Sequence, residues 1–166
     1  WEVVVIAKVI KKASDFVDKI GCGLLILTMA GMVFFTSIQI IARVFFTALA
    51  WSEELTRYLL VWSTFIGAGC VYKRGGHINV SFIQDKFKGK ANNYAKILVH
   101  LICMAFFIIA VYYGIIYMMK QGAQSSPALG IRMNLMYMAI PIGCGIMLLH
   151  ALNAIIEILV TREVAE

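Results

Sequence analysis

Three groups of residues in this chain have types and spacings that could do chemistry. The densest is Trp51-Ser52-Glu53-Glu54-Leu55-Thr56-Arg57-Tyr58. Ser52 can cap a helix start, and two carboxylates in a first turn suit the positive end of the helix dipole. Arg57 stands four residues beyond Glu53 and three beyond Glu54, so an ion pair can form on one helical surface. Two readings stay open, a capped and self-neutralised helix start or a docking point for a soluble partner. The second group is His100 and His150, which fall at comparable depth in two antiparallel apolar runs. Facing imidazoles could ligate a b-type haem and make the chain an electron-transfer anchor. The plainer reading is two interfacial histidines that turn their polar tips to water. His77, in a basic segment, reads as solvent-exposed. The third group is Cys22, Cys70, Cys103 and Cys144. They fall one to each apolar run without metal or redox spacing, so they read as small packing residues, and neither a metal nor a cofactor is expected. No catalytic constellation emerges, and the chain does not read as an enzyme.

The elements that must position these groups are long and uncharged. Ile20 to Ala42 and Ile97 to Met119 each run 23 residues without a charge, Met133 to Ile156 runs 24, and Tyr58 to Tyr72 runs 15. Trp51 to Leu55 can lengthen the shortest run by a turn. About 20 apolar residues rising about 1.5 Å each cross a hydrocarbon core of roughly 30 Å. Lipid offers no hydrogen bonds, so helices that satisfy their own backbone are expected. Composition agrees, with 61% hydrophobic and 14% charged residues among 166, against about 25% charged in ordinary soluble domains. The expected fold is an all-α integral membrane protein forming one membrane domain. Its crossings span 20–43, 52–72, 97–119 and 133–156, with an amphipathic segment over 1–19, interfacial or simply an extension of the first crossing, and a cytoplasmic loop over 77–96. That loop holds a second interfacial candidate, Val80 to Phe87.

Charge placement sets an expected orientation. With four crossings both termini share a side, and that side would carry eleven basic residues, Lys8, Lys11, Lys12, Lys19, Lys73, Arg74, Lys86, Lys88, Lys90, Lys96 and Arg162. The other side would carry four, Arg43, Arg57, Lys120 and Arg132. The positive-inside bias places both termini in the cytoplasm. The net charge of +6 is then a topology signal and a contact for anionic lipid, not a nucleic-acid patch. Ala48-Leu49-Ala50 resembles a small-residue cleavage site, but the preceding apolar run is too long for a signal core and Arg43 interrupts it, so the first helix is expected to be retained.

The run centres hold no Asp, Glu, Lys or Arg, and no internal repeat supplies alternating access, so a self-sufficient carrier is not expected. Small residues cluster at Gly67-Ala68-Gly69-Cys70 with Ser63 a turn earlier, and at Gly143 and Gly145 with Ala139. Such faces let helices approach closely. They indicate packing within this subunit or against a larger membrane partner, and Ser63, Gly67 and Gly143 are the candidate contacts for that partner. Pro141 removes a backbone donor inside the last run and should bend it. Gln121 to Arg132, with Gly122, Ser125, Ser126, Pro127 and Gly130, reads as a turn-rich connection.

Glu53-Glu54-Leu55-Thr56-Arg57-Tyr58-Leu59-Leu60-Val61-Trp62, then Phe65-Ile66-Gly67-Ala68, then Gly76-His77-Ile78-Asn79-Val80 resemble the small membrane subunit of tripartite ATP-independent periplasmic (TRAP) transporters. The likeness takes in Arg43, Ser126-Pro127-Ala128-Leu129-Gly130, Met136-Tyr137 and Pro141, while Arg132 stands where such proteins often carry a proline. The resemblance implies a bacterial inner-membrane location and a sodium-coupled complex importing an organic acid. It also implies two protein partners, a large membrane subunit that carries the substrate and a periplasmic substrate-binding protein. This chain would be the accessory scaffold. Glu53, Glu54, Arg57 and Arg132 are the best-placed groups on the outer rim to meet the binding protein.

Overall fold

The structure, a computed structural model, describes residues 2–75 and 90–165, with side chains described over 7–75 and 94–160. Helix α1 runs over Glu2–Phe45, α2 over Ala50–Lys73 and α3 over Lys90–Lys120. A 3₁₀ turn at Gln121–Ala123 leads into an ordered loop. The chain then forms a short helix α4 over Asn134–Tyr137 and a long α5 over Ala139–Ala165. Among the described residues there is no strand, only one isolated antiparallel bridge between Ser125 and Arg132. Three segments, in α1, in α3 and over Asn134–Val160, are long and apolar enough to cross a membrane. Helix α2 does not reach that standard; its uncharged run is shorter and charges flank it. The expectation of four crossings is thus met for three helices, and the fourth lies packed against α1 and α5.

The helices outrun the uncharged stretches. α1 is unbroken for 44 residues, about 66 Å at 1.5 Å per residue, so residues 2–19 of the expected interfacial segment are continuous helix with the uncharged run, without a break at Lys19. Residues 90–96, expected in the loop, already form the first turns of α3. The second interfacial candidate, Val80 to Phe87, and His77 lie outside the described residues.

Neighbouring helices alternate in direction. One end of the bundle, the termini end, brings together the start of α1, the end of α2, the start of α3 and the end of α5: Lys11 meets Glu157, Lys73 meets Asp15, and the Tyr72 hydroxyl lies 2.8 Å from His100 Nδ1. The other end, the loop end, gathers the end of α1, the start of α2 and the 124–133 loop. The Ser52 hydroxyl donates to the Phe35 carbonyl at 3.1 Å, and the Phe35 ring meets Trp51 edge-on at 6.1 Å.

Small residues decide the packing between. A Cβ at Gly143 would lie 2.6 Å from the Phe65 Cβ, and one at Gly69 would lie 2.7 Å from Ile146 Cγ2. α2 and α5 therefore touch almost backbone to backbone, the contact that matters where lipid removes most of the hydrophobic drive. Buried Tyr72, Phe107, Cys144, Met147 and Ala151 form the core where α2, α3 and α5 meet. Regular helix is interrupted at Met138, just after Tyr137, whose carbonyl would have accepted from the N–H that Pro141 lacks. Across from this break a Cβ at Gly114 would stand 3.1 Å from Ile140 Cγ2 and 3.3 Å from Pro141 Cδ. Gly114 thus lets α3 follow the bend.

Candidate functional site

At the loop end the chain must satisfy a turn that cannot satisfy itself. The Gly130 amide donates to the Ser126 carbonyl at 3.1 Å, closing one helical turn over Ser126–Gly130, and Gly130 takes φ +68°. Only a residue without Cβ adopts that angle readily. The Ser126 amide donates to the Ile131 carbonyl and the Met133 amide to the Gln124 carbonyl, which makes 124–133 a small hairpin. A single helical turn leaves its leading N–H groups without partners. Here Glu54 supplies the acceptor from a different helix: its Oε2 takes hydrogen bonds from the Ala128 amide at 2.9 Å and the Leu129 amide at 3.0 Å. Its Oε1 accepts from the Tyr58 hydroxyl one turn along α2, and Met133 Sδ lies 3.5 Å from the same hydroxyl. Glu54 and Tyr58 are both buried. Hydrogen bonds to an ionised acceptor are about twice as strong as neutral ones.

Glu53, next in sequence, does something else. It is exposed and pairs with Arg57 at 3.3 Å, both side chains being more than 60% accessible. Ser52 does not cap the helix as its sequence position suggested. α2 starts at Ala50, its N-cap position is Leu49 with no side-chain cap, and Ser52 is fully buried with its hydroxyl turned to α1. Burial against α1 took precedence over the local cap. Arg132, exposed, sits on the hairpin that Glu54 holds. Beside the clamp lies a cleft of about 370 Å³ lined by Glu54, Arg57, Tyr58, Phe65, Pro127 and Met136, among others. Glu54, Arg57 and the Arg132 hairpin are thus neighbours in space, with Glu53 on the adjoining surface.

The small residues expected to meet a membrane partner are turned inward. Gly67 faces Leu25 of α1 at 3.4 Å, Gly143 faces Phe65, and buried Ser63 donates to the Leu60 carbonyl. What remains open is apolar: Ile26, Leu27, Val33 and Phe34 on α1, and Ile102, Phe106, Ile109 and Tyr113 on α3, are each more than half accessible.

The two histidines are engaged separately. His150, buried, lies 2.8 Å from the Ser14 hydroxyl through Nδ1, and His100 meets Tyr72 in the same way. Each imidazole has a hydroxyl partner on its own neighbouring helix, α1 for His150 and α2 for His100. The haem alternative finds no support in this arrangement. Cys22 and Cys70, 48 positions apart, bring their sulfurs to 3.4 Å, a proximity that their spacing in sequence did not show.

Comparison with known proteins adds to this geometry. The family model described as tripartite ATP-independent periplasmic transporters, DctQ component, matches residues 32–161. Over 41 residues the chain is 42% identical to the sialic acid TRAP transporter small permease protein SiaQ of Vibrio cholerae, covering 25% of this chain and 24% of that protein. Over 108 residues it is 25% identical to the isethionate TRAP transporter permease protein DctMQ of Oleidesulfovibrio alaskensis, covering 64% of this chain and 17% of that one. The aligned stretches thus span about a quarter or less of these relatives.

Proposed function

The chain belongs to the DctQ-component family of TRAP transporters, and from that membership we propose that it is the accessory scaffold subunit of a sodium-coupled importer of an organic acid. α2 makes the fourth crossing, its charged start at the periplasmic face and its Lys73 end in the cytoplasm, in a bacterial inner membrane. The accessible apolar faces of α1 and α3 meet lipid and a large membrane subunit that carries the substrate. The loop end receives the periplasmic binding protein.

The observation that carries this reading is the division of labour between two adjacent carboxylates. Glu54 is consumed internally, fixing the hairpin that bears Arg132, while Glu53 and Arg57 stay in reach of solvent. A fixed hairpin with an exposed cation beside an open cleft is a preorganised rim, and preorganisation lowers the ordering cost of docking. Exposed charges of this kind act on encounter rate and its salt dependence more than on final affinity. Arg132→Glu should therefore lower uptake by the complete three-component system at low salt and limiting binding protein, while the amount of assembled membrane complex stays at the native level. Uptake kinetics unchanged by that reversal would remove the docking role from this rim.

A further inference from the structure

At the termini end two helices present three metal-ligating side chains to one point. Asp18 and Cys22, one turn apart on α1, face Cys70 on α2, and a ligand atom from each lies within 4.8 Å of the others. Cys22 Sγ stands 3.4 Å from Cys70 Sγ and 3.7 Å from Asp18 Oδ1. Around a zinc ion with Zn–S about 2.3 Å and Zn–O about 2.1 Å, tetrahedral ligands stand roughly 3.5–3.8 Å apart. The two measured separations match that edge within a few tenths of an ångström. Gly21 lies beside the pair, and a Cβ there would stand in ordinary contact with Cys70 Sγ at 3.4 Å.

We propose that Asp18, Cys22 and Cys70 form a three-ligand site for a thiophilic divalent cation of the zinc class, fastening α1 to α2. Two sulfur ligands select against magnesium and calcium, which take oxygen. Two thiolates and a carboxylate carry three negative charges, so a divalent ion leaves one over. Arg74 is placed to balance it, with Nη2 2.9 Å from Cys22 Sγ and 3.6 Å from Asp18 Oδ2. Water fills the fourth position, on the side where Cys22 and Asp18 are only partly buried.

Cobalt(II) reports directly on such a site. Titrated into the thiol-reduced full chain in detergent, it should bind one ion per chain with a thiolate-to-cobalt charge-transfer band and the visible bands of tetrahedral coordination. Zinc should displace it and magnesium should not. Cys22→Ser and Cys70→Ser should each weaken the charge-transfer band and lower affinity by about tenfold or more, while Cys103→Ser on α3 leaves both unchanged. Asp18→Asn keeps both sulfurs, so it should keep the band and lose about tenfold in affinity. It serves as the test should either serine variant fail to fold. Affinity should also rise with pH, because binding expels the thiol protons. Cobalt bound without a sulfur band, binding indifferent to Cys22 and Cys70, or a Cys22–Cys70 disulfide in place of any cobalt uptake would each overturn the proposal.

Discussion

At the loop end one buried carboxylate joins α2 to the 124–133 hairpin through uncharged donors, whereas at the termini end three ion pairs, Lys11–Glu157, Lys73–Asp15 and Arg74–Asp18, reach across helices in or near water. The two kinds of contact obey different physics. Exposed ion pairs contribute about 0–1 kcal/mol each and weaken with salt. A buried donor that loses its acceptor costs about 1–3 kcal/mol, and salt does not change that. The hairpin is therefore held by a contact that salt does not weaken, while the ion pairs of the basic end are the adjustable part of an end that also holds buried Ser14–His150.

Three changes test this contrast. The largest effect should come from Glu54→Ala, which strands the Ala128 and Leu129 amides and the Tyr58 hydroxyl together. A fall in melting temperature of about 5 °C or more is expected, at low and high salt alike. Reactivity of a cysteine placed at Ser125 should rise as the hairpin loosens. Glu53→Gln should leave both readings close to native. Equal effects from the two glutamates would erase the difference between clamp and surface pair.

Next comes Gly143→Ala, midway between the ends. Its Cβ would press on the Phe65 Cβ and Cγ, atoms too near the backbone to swing aside. Overpacking of this kind costs about 1–3 kcal/mol. Gly69→Ala should cost less, because the atom it meets is the branch methyl of Ile146. Melting curves that rank the two in the opposite order would show that α2 and α5 can part at Phe65 without loss.

The smallest effect belongs to Asp15, in the charged stretch of α1 before the uncharged run. The Lys73 ammonium, hydrogen-bonded to it at 2.6 Å, holds its carboxyl below the ordinary value of 3.8. A carboxyl depressed on folding adds stability that is present above its unfolded pKa and lost as pH falls through the folded one. Stability should thus decline below about pH 4, with a part of that decline absent in Asp15→Asn and diminished in high salt. A decline of the same size in Asp15→Asn would assign it to other carboxyls.

The sequence carried the long elements because absence of charge over 23 residues is a property of one segment. The helices run past the uncharged stretches, since Lys8, Lys11, Asp15 and Lys90 are helical too, and absence of charge does not mark where a helix stops. The clamp was half legible. The pair Glu53–Arg57 obeys four-residue helical spacing and could be read directly. Glu54's partners are backbone amides 74 and 75 positions away, and a backbone amide has no signature in a list of side chains. Ser52 misled for the same reason: a local cap was visible, the distant Phe35 carbonyl was not. Gly67 and Gly143 announced close packing without naming the neighbour, and the neighbours proved to be Leu25 and Phe65 of the same chain. The approach of Cys22 to Cys70 was not legible, because spacing along the chain says nothing about two helices crossing.

The uninterrupted course of α1 has a mechanical meaning. Of its length of about 66 Å, a hydrocarbon core of about 30 Å encloses less than half. The overhang is tied to α5 by Lys11–Glu157 and by Ser14–His150. Helix and overhang are one continuous rod, so any tilt of the apolar part is a tilt of both. A tilt of about 10° about the middle of the uncharged run would sweep the far tip through roughly 8 Å, taking the end of α5 along with it.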